Sequence, residues 1–249
     1  RLRHGLVSRN GQHSRAVAGC FRLRNRLLLR RRLPDENVMT ANEPIPVPEV
    51  RYKTVLLFGA PGAGKGTQGK ILGSIPGFYH CSCGDVFRNM DVTSDLGRTF
   101  MEYSSRGELV PDEITVQMWS RAVRARAFLG DFKPKNDLLV LDGIPRTLEQ
   151  AKLMDSLIDT VQIIHLTCND EEEMFQRLRQ RALKENRHDD ADEKVIRNRW
   201  HVYEQETAPV LEHYDKSLIA DVDSMGSPAQ VLHDVLDFVV PAQNAHFHQ

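Results

Sequence analysis

Five short apolar runs punctuate this chain, and each is followed by a stretch with helical spacing. The first, Thr54 to Phe58, joins β-branched and apolar side chains without a break, as a strand buried on both faces does. Four more are expected at 78–81, 138–142, 161–167 and 217–222. A helix follows the first strand from Lys65 to Gly73 and stops at the Pro76-Gly77 turn. Ser94 caps a helix to about Ser105, closed by Gly107, and Pro111-Asp112 opens the next, which carries Trp119. Further helices are expected from Thr147, over Glu171–Leu183, to about Tyr214 as one long helix, and from Ser227 to about Val239. The last residues, QNAHFHQ, read as a frayed tail whose two histidines are solvated rather than metal ligands. Strands alternating with helices predict an α/β domain built on a parallel five-stranded sheet flanked by helices.

Composition narrows this little. The 249 residues suffice for one or two domains with a sizeable core. No run approaches the roughly 20 apolar residues of a membrane helix. Cys20, Cys81, Cys83 and Cys168 form no disulfide framework, and Cys-x-Cys alone is a poor zinc site. A reducing compartment is the default, and the cytoplasm the expected location.

Charge adds one feature. The net −1 hides ten arginines against four acids in residues 1–50, a local +6 that leaves −7 for the remainder. Three readings of residues 1–38 stay open: an Arg-rich organelle transit peptide (mitochondrial or plastid), a basic arm for nucleic acid or lipid head groups, or sequence upstream of a true start at Met39. All three expect residues 1–38 to be disordered, with no part in the core, and residues 1–50 together are expected to form a basic, disordered N-terminal extension. The expected domain is 51–240, with 241–249 as tail.

The densest chemical signal follows the first strand. Gly59, Gly62, Gly64 and Gly66 interleave with Pro61 and lead to Lys65 and Thr67. Glycines let a backbone turn its N–H groups inward, and with the next helix's N-terminus they cradle phosphate. Lys65 would then reach the outer phosphates. The strict P-loop has Ser or Thr directly after the lysine, whereas here Gly66 intervenes. A second signal is Asp142, which closes a buried strand where open α/β sheets bind ligands and where an acid can hold Mg²⁺ or its waters. Arg146 stands four residues on, placed to meet a phosphate.

GAPGAGKGTQ (59–68), GDVFR (84–88), GELVPDEI (107–114), LDGIPRTLEQA (141–151) and the spacing of Arg187, Asp189 and Asp190 occur in that order. Together they resemble the adenylate kinases over roughly residues 52–240. The resemblance implies the P-loop nucleoside monophosphate kinase fold, with an AMP-binding flap at about 82–110 and a short lid at about 181–192. It implies Mg-dependent phosphoryl transfer from ATP to AMP, giving two ADP. It implies that Gly62, Ala63, Gly64, Lys65, Gly66 and Thr67 hold the ATP phosphates, and that Asp85 and Asp142 hold magnesium through water. Arg88 and Arg146 match the clamp on the AMP phosphate. Glu108, Leu109 and Val110 match the run along the AMP base, Gln150 the amide that reads its edge, and Cys83, Gly143, Ile144 and Pro145 the surrounding wall. Arg177 matches the cover over the ATP base, Arg181 a phosphate contact, and Ser227 a backbone carbonyl at the ATP adenine. Arg187 and Arg199 match arginines that arrive with the lid; Lys65, Arg88, Arg146, Arg181, Arg187 and Arg199 form the catalytic set.

The departures are specific. Cys83 stands where the family has threonine, and Ile144 where phenylalanine is common. Gln150 favours AMP over the pyrimidine acceptors of relatives that carry asparagine there. The lid lacks a four-cysteine site, so no structural zinc is expected. It also has one residue beyond the usual spacing: counting back from Tyr203, Thr207 and Pro209 selects Arg199, and counting forward from the aspartates selects Asn198. A surplus of arginines suits the chemistry, because their forks bind phosphate oxygens bidentately. UMP/CMP kinase and a non-catalytic nucleotide-binding module are the alternative functions. A monomer is expected, with no nucleic-acid or membrane partner.

Overall fold

In the computed structural model, residues 45, 47–91, 93–185 and 192–247 are described, and all belong to one compact unit, Met39–Gln249. The expectations for residues 1–38, and those for Arg187, Asp189, Asp190 and His248, lie outside the described residues.

Five strands form one sheet, all neighbours parallel: β1 Tyr52–Gly59, β2 Phe78–Ser82, β3 Leu138–Asp142, β4 Ile158–Thr167 and β5 Ile219–Asp223, in the order β2-β3-β1-β4-β5. Eight α-helices are described: α1 Lys65–Leu72, α2 Cys83–Arg88, α3 Asp95–Arg106, α4 Asp112–Leu129, α5 Leu148–Met154, α6 Glu171–Glu185, α7 Glu193–Val202 and α8 Pro228–Phe247.

The uninterrupted apolar strands are explained by burial on both faces. Along β1, Val55 and Leu57 point to a core shared with Leu72 of α1 and Val231, Val235 and Val239 of α8. Leu56 and Phe58 point the other way, to Val116, Trp119 and Val123 of α4 and Met154 of α5. A third, small cluster joins Phe175 and Leu178 of α6 to Ile196 of α7, with Trp200 packed edge-on to Phe175. The two helices on either side of residues 186–191 therefore carry their own apolar contact.

Caps mark several ends as the sequence predicts. Ser94 accepts from the Gly97 N–H, Thr147 accepts from the Gln150 N–H, and Gly107 closes α3 at φ 71°. Three features differ. The long helix expected to reach Tyr214 ends at Val202 and continues as a π turn over Tyr203–Thr207 and a 3₁₀ segment over Ala208–His213. Pro209 lacks the N–H that an α ladder needs, and the Thr207 hydroxyl donates to the Arg146 carbonyl at 2.9 Å. At the other end, α8 runs through Pro241 to Phe247 instead of fraying. Gln243 Nε2 donates to the Pro76 carbonyl at 3.0 Å, and Ala242 packs on the core. His246, read as solvated, is partly buried. Finally, α2 was not foreseen as a helix; Ser82 caps it by accepting from the Asp85 N–H.

Candidate active site

Three adjacent strands end together at the functional edge of the sheet. Asp142, the last residue of β3, is in register with Leu57 of β1 on one side and Ser82 of β2 on the other. The glycine-rich loop leaves β1 there, and α2, with Asp85 and Arg88, leaves β2. Topology thus gathers three separate sequence motifs at one spot, the carboxyl edge where open α/β sheets bind ligands.

The loop wraps over α1, and its turns demand glycine. Gly62 sits at φ 91°, and a Cβ there would stand 2.8 Å from the Met174 carbonyl oxygen of α6. Gly66, which displaces the usual Ser or Thr, lies against Asp142: its Cβ would be 3.4 Å from the carboxylate. The first turn of α1 thus lies beside the acid, at a distance that a Cβ would also tolerate. Lys65 Nζ donates to the Gly59 carbonyl at 2.6 Å and the Ala60 carbonyl at 3.0 Å, which leaves one of its three N–H groups. Burial pushes the Lys65 ammonium down to about 8, with Asp142 opposing and Arg146, Arg181 and Arg199 reinforcing the shift.

These groups face a cleft of about 700 Å³ lined by the loop from Gly62 to Thr67, by Asp85, Asp142, Gly143 and Pro145, and by Arg88, Arg146, Arg177, Arg181 and Arg199. A smaller recess adjoins it, sharing Arg88, Leu109, Gly143, Arg146 and Arg199, and adds Cys83, Glu108, Val110 and Gln150. The described part of the expected set is therefore brought together with two exceptions. Ile144 is buried in the core, joined to Pro145 by a cis peptide. Ser227 caps α8: its carbonyl accepts from the Val231 N–H and its hydroxyl from the Gln230 N–H, while Gly226 and Pro228 beside it line the cleft.

Asn198 and Arg199, the two residues between which the spacing leaves a choice, sit differently. Asn198 Nδ2 donates to the Arg106 carbonyl at 2.7 Å, tying α7 to the end of α3. Arg199 lines both cleft and recess. Gly107 allows this approach, since a Cβ there would lie 2.9 Å from both the Val195 carbonyl oxygen and Arg199 Cγ.

Several arginines are held by near neighbours. Arg88 pairs with Asp85 at 2.6 Å, Arg146 Nε donates to the Gly143 carbonyl at 3.0 Å, and Arg177 bonds Glu173 and the Ser224 carbonyl. The Cys83 thiol is buried and pushed up to about 12, so it presents a small neutral surface to the recess rather than a nucleophile.

The residues also fit magnesium. Asp85 and Asp142 offer carboxylates and Thr67 a hydroxyl, all oxygen donors of the kind a hard cation takes. Among the described residues, no group of three or more His, Cys, Asp or Glu could hold a metal. A pair of carboxylates leaves most coordination positions to water and phosphate oxygens, the arrangement typical of nucleotide-bound magnesium.

Two residues of the site escaped the sequence reading. Gln68, buried at the cleft, donates to the Pro228 carbonyl at 3.1 Å while its Oε1 has no hydrogen-bond partner. Its only signal was its place at the end of the glycine-rich string. Asp112, read merely as a helix opener, accepts from both Gln150 and Thr147; nothing in a separation of 38 residues announces that contact.

Comparison with known proteins agrees with this geometry. A family model described as "Adenylate kinase" matches residues 57–219. A protein of that name from Thermobifida fusca (strain YX) is 40% identical over 183 residues, covering 71% of this chain and 93% of the relative. Another from Kocuria rhizophila is 35% identical over 188 residues, covering 73% and 96%, and one from Nocardia farcinica is 37% identical over 182 residues, covering 71% and 93%. The matched span runs from within β1 to the start of β5 and takes in nearly every loop that builds the cleft, so the chain belongs to the adenylate kinase family.

Proposed function

We infer that this protein is a nucleoside monophosphate kinase that transfers the terminal phosphoryl group of MgATP to AMP, reversibly giving two ADP. The observation that carries the reading is one cleft in which a buried lysine, two carboxylates and a ring of arginines adjoin a recess with a single buried amide. Polyphosphate chemistry suits the first part and a nucleobase the second.

In this reading the loop from Gly62 to Thr67 holds the donor phosphates with backbone N–H groups and Lys65. Arg177 and the Gly226–Pro228 turn border the donor base, with Ser227 contributing backbone. Arg88 and Arg146 grip the acceptor phosphate, whose ionised oxygen is the nucleophile, so the protein supplies no general base. Arg181, Arg187 and Arg199 spread positive charge over the transferred group, where positioning and charge stabilisation dominate catalysis. Asp85 and Asp142 would hold magnesium through water, and when bound the ion neutralises phosphate charge. An acceptor phosphate that takes Arg88 also releases Asp85 from its 2.6 Å pair. Closure of the 82–110 flap and the 181–192 lid excludes water, which would otherwise divert transfer to hydrolysis.

The proposal extends to a monomer in the cytoplasm, with residues 1–38 as a basic extension; Ile45, expected outside the core, packs against it. No helix among the described residues is long and apolar enough to cross a membrane.

A coupled assay of ADP formation from MgATP, with AMP, dAMP, UMP and CMP offered in parallel, tests the assignment. Preference for AMP and dAMP is expected. Preference for a pyrimidine acceptor would move the protein to the UMP/CMP kinases and make Cys83 a determinant of the base pocket. Nucleotide binding without transfer to any acceptor would make it a binding module.

A further inference from the structure

We propose that Asp112 is a positioning residue that fixes the hydrogen-bond polarity of the Gln150 amide and thereby selects 6-amino over 6-oxo purine acceptors. The inference rests on the reading of the recess as the acceptor-base site and adds to it a residue and a basis for discrimination.

An amide side chain has two faces that differ only in where the oxygen and nitrogen sit, and in solution both are sampled. Here each end of Gln150 meets a partner that tolerates one choice. Oε1 accepts from the Arg146 backbone N–H at 2.7 Å, and Nε2 donates to Asp112 Oδ1 at 2.9 Å. The backbone N–H can only donate, and Asp112 Oδ1, which also accepts from the Thr147 hydroxyl, acts as an acceptor. Rotating the amide by half a turn would set donor against donor at one end and acceptor against acceptor at the other. With Gln150 1% exposed, neither mismatch could be relieved by bulk water. The chemistry of the two partners therefore fixes which atom is which.

Asp112 is itself held. The Thr147 hydroxyl donates to the same Oδ1 at 2.9 Å, and Thr147 also caps α5, the helix that carries Gln150. The carboxylate at the start of α4 thus ties the start of α5 and its amide into one unit, and the Thr207 hydroxyl on the Arg146 carbonyl extends that unit to the segment after the lid.

What remains on Gln150 is one N–H and one lone pair, side by side. A base edge that offers an acceptor beside an amine, such as adenine N1 with its 6-amino group, satisfies both. A 6-oxo purine reverses the pair, offering an N–H beside a carbonyl. If the phosphate is gripped by the same two arginines, both purines enter in one pose, and only a freely rotating amide could serve both. A site built around polar groups rejects a ligand that leaves them unpaired.

Steady-state kinetics with AMP and IMP test this, since IMP differs from AMP only in the exchange of amine for carbonyl with its ring proton. Asp112→Ser removes the acceptor from Nε2; Asp112→Glu keeps the charge but displaces the carboxylate; Asp112→Asn keeps an oxygen in place. In the Ser and Glu variants the AMP-to-IMP ratio of kcat/KM should fall by about tenfold, through KM for AMP, with kcat and KM for ATP nearly unchanged. The Asn variant should stay within about threefold of the parent. A ratio unmoved in whichever of the Ser and Glu variants folds, or an equal loss in Asn, overturns the proposal, whatever happens to Tm. Failure of the parent protein to prefer AMP over IMP would instead overturn the reading of the recess.

Discussion

The two ends of the cleft are built by opposite means. The part proposed to hold the donor phosphates is mostly backbone from one contiguous stretch, Gly59 to Thr67, with Lys65 folded onto the carbonyls of Gly59 and Ala60. The acceptor end is side chains drawn from α2, the turn after α3, the β3–α5 connection, α5 and α7, and three of them are held by a neighbour: Arg88 by Asp85, Gln150 by Asp112, Arg146 by Gly143. A backbone cradle is set by glycine conformation and takes any polyphosphate. A side-chain site is set by pairwise bonds, so it can discriminate among bases. Substitutions should therefore cost turnover at the first and selectivity at the second.

The largest effect should come from Lys65→Met, which removes the cation proposed to meet the transferred phosphate. Turnover should fall by about 10³-fold, the scale of losing a preorganised charge donor. The fold should not suffer, because the buried ammonium has its proton affinity lowered to about 8 and methionine replaces it with an apolar chain of similar length. Thermal unfolding with a Tm at or above the parent's, beside lost turnover, is the expected pair; near-normal turnover would remove Lys65 from its role.

Next comes the lid side. Arg199→Ala should lower kcat about 10²-fold, whereas Asn198→Ala, which loses one exposed bond to the Arg106 carbonyl, should change kcat by no more than about threefold. Equal effects at both positions would undo the assignment of Arg199 to the cleft.

Arg88→Ala should raise KM for AMP by about 10- to 100-fold while leaving KM for ATP within about twofold. Isothermal titration with each nucleotide checks it, and an equal loss for both would place Arg88 outside the acceptor end.

The same contrast explains what the sequence could reveal. The donor end is contiguous, and its strand, glycines and lysine are constrained by local backbone geometry, so it was legible residue by residue. The five strands were legible because burial on both faces leaves an unbroken apolar run. Arg88, Arg146 and Gln150 could be named through the motifs they sit in. Their holders could not: Asp112 is joined to Gln150 only by the packing of α4 on α5. The break after Val202 was also hidden, because Pro209 can mark either a kink or an end, and the Thr207 bond to Arg146 that favours the turn spans 61 residues. Ser227 carries a structural duty that its motif did not announce, capping α8 through its hydroxyl while its neighbours Gly226 and Pro228 line the cleft.

The smallest expected effect sharpens the contrast through pH. In the free protein the Lys65 ammonium loses its proton near 8, well below the ordinary lysine range, because it is buried and faces Arg146, Arg181 and Arg199. A bound triphosphate brings negative charge beside it and favours the protonated form. Binding above pH 8 must therefore take up a proton, and ATP affinity should weaken by up to about tenfold per pH unit there, while staying flat from about pH 6.5 to 7.5. Stability runs the other way. The folded value lies below the unfolded one, so the unfolded chain holds the extra proton between about 8 and 10.5. The contribution of Lys65 to unfolding free energy thus rises with pH across that window. Lys65→Arg keeps its charge throughout, so it should bind ATP more weakly at every pH and lose the inflection near 8. AMP affinity, which rests on guanidinium groups, should show no inflection there in either protein. An AMP curve that bends with the ATP curve would mean that the lysine serves both ends and that the division between a backbone-built and a side-chain-built site is false.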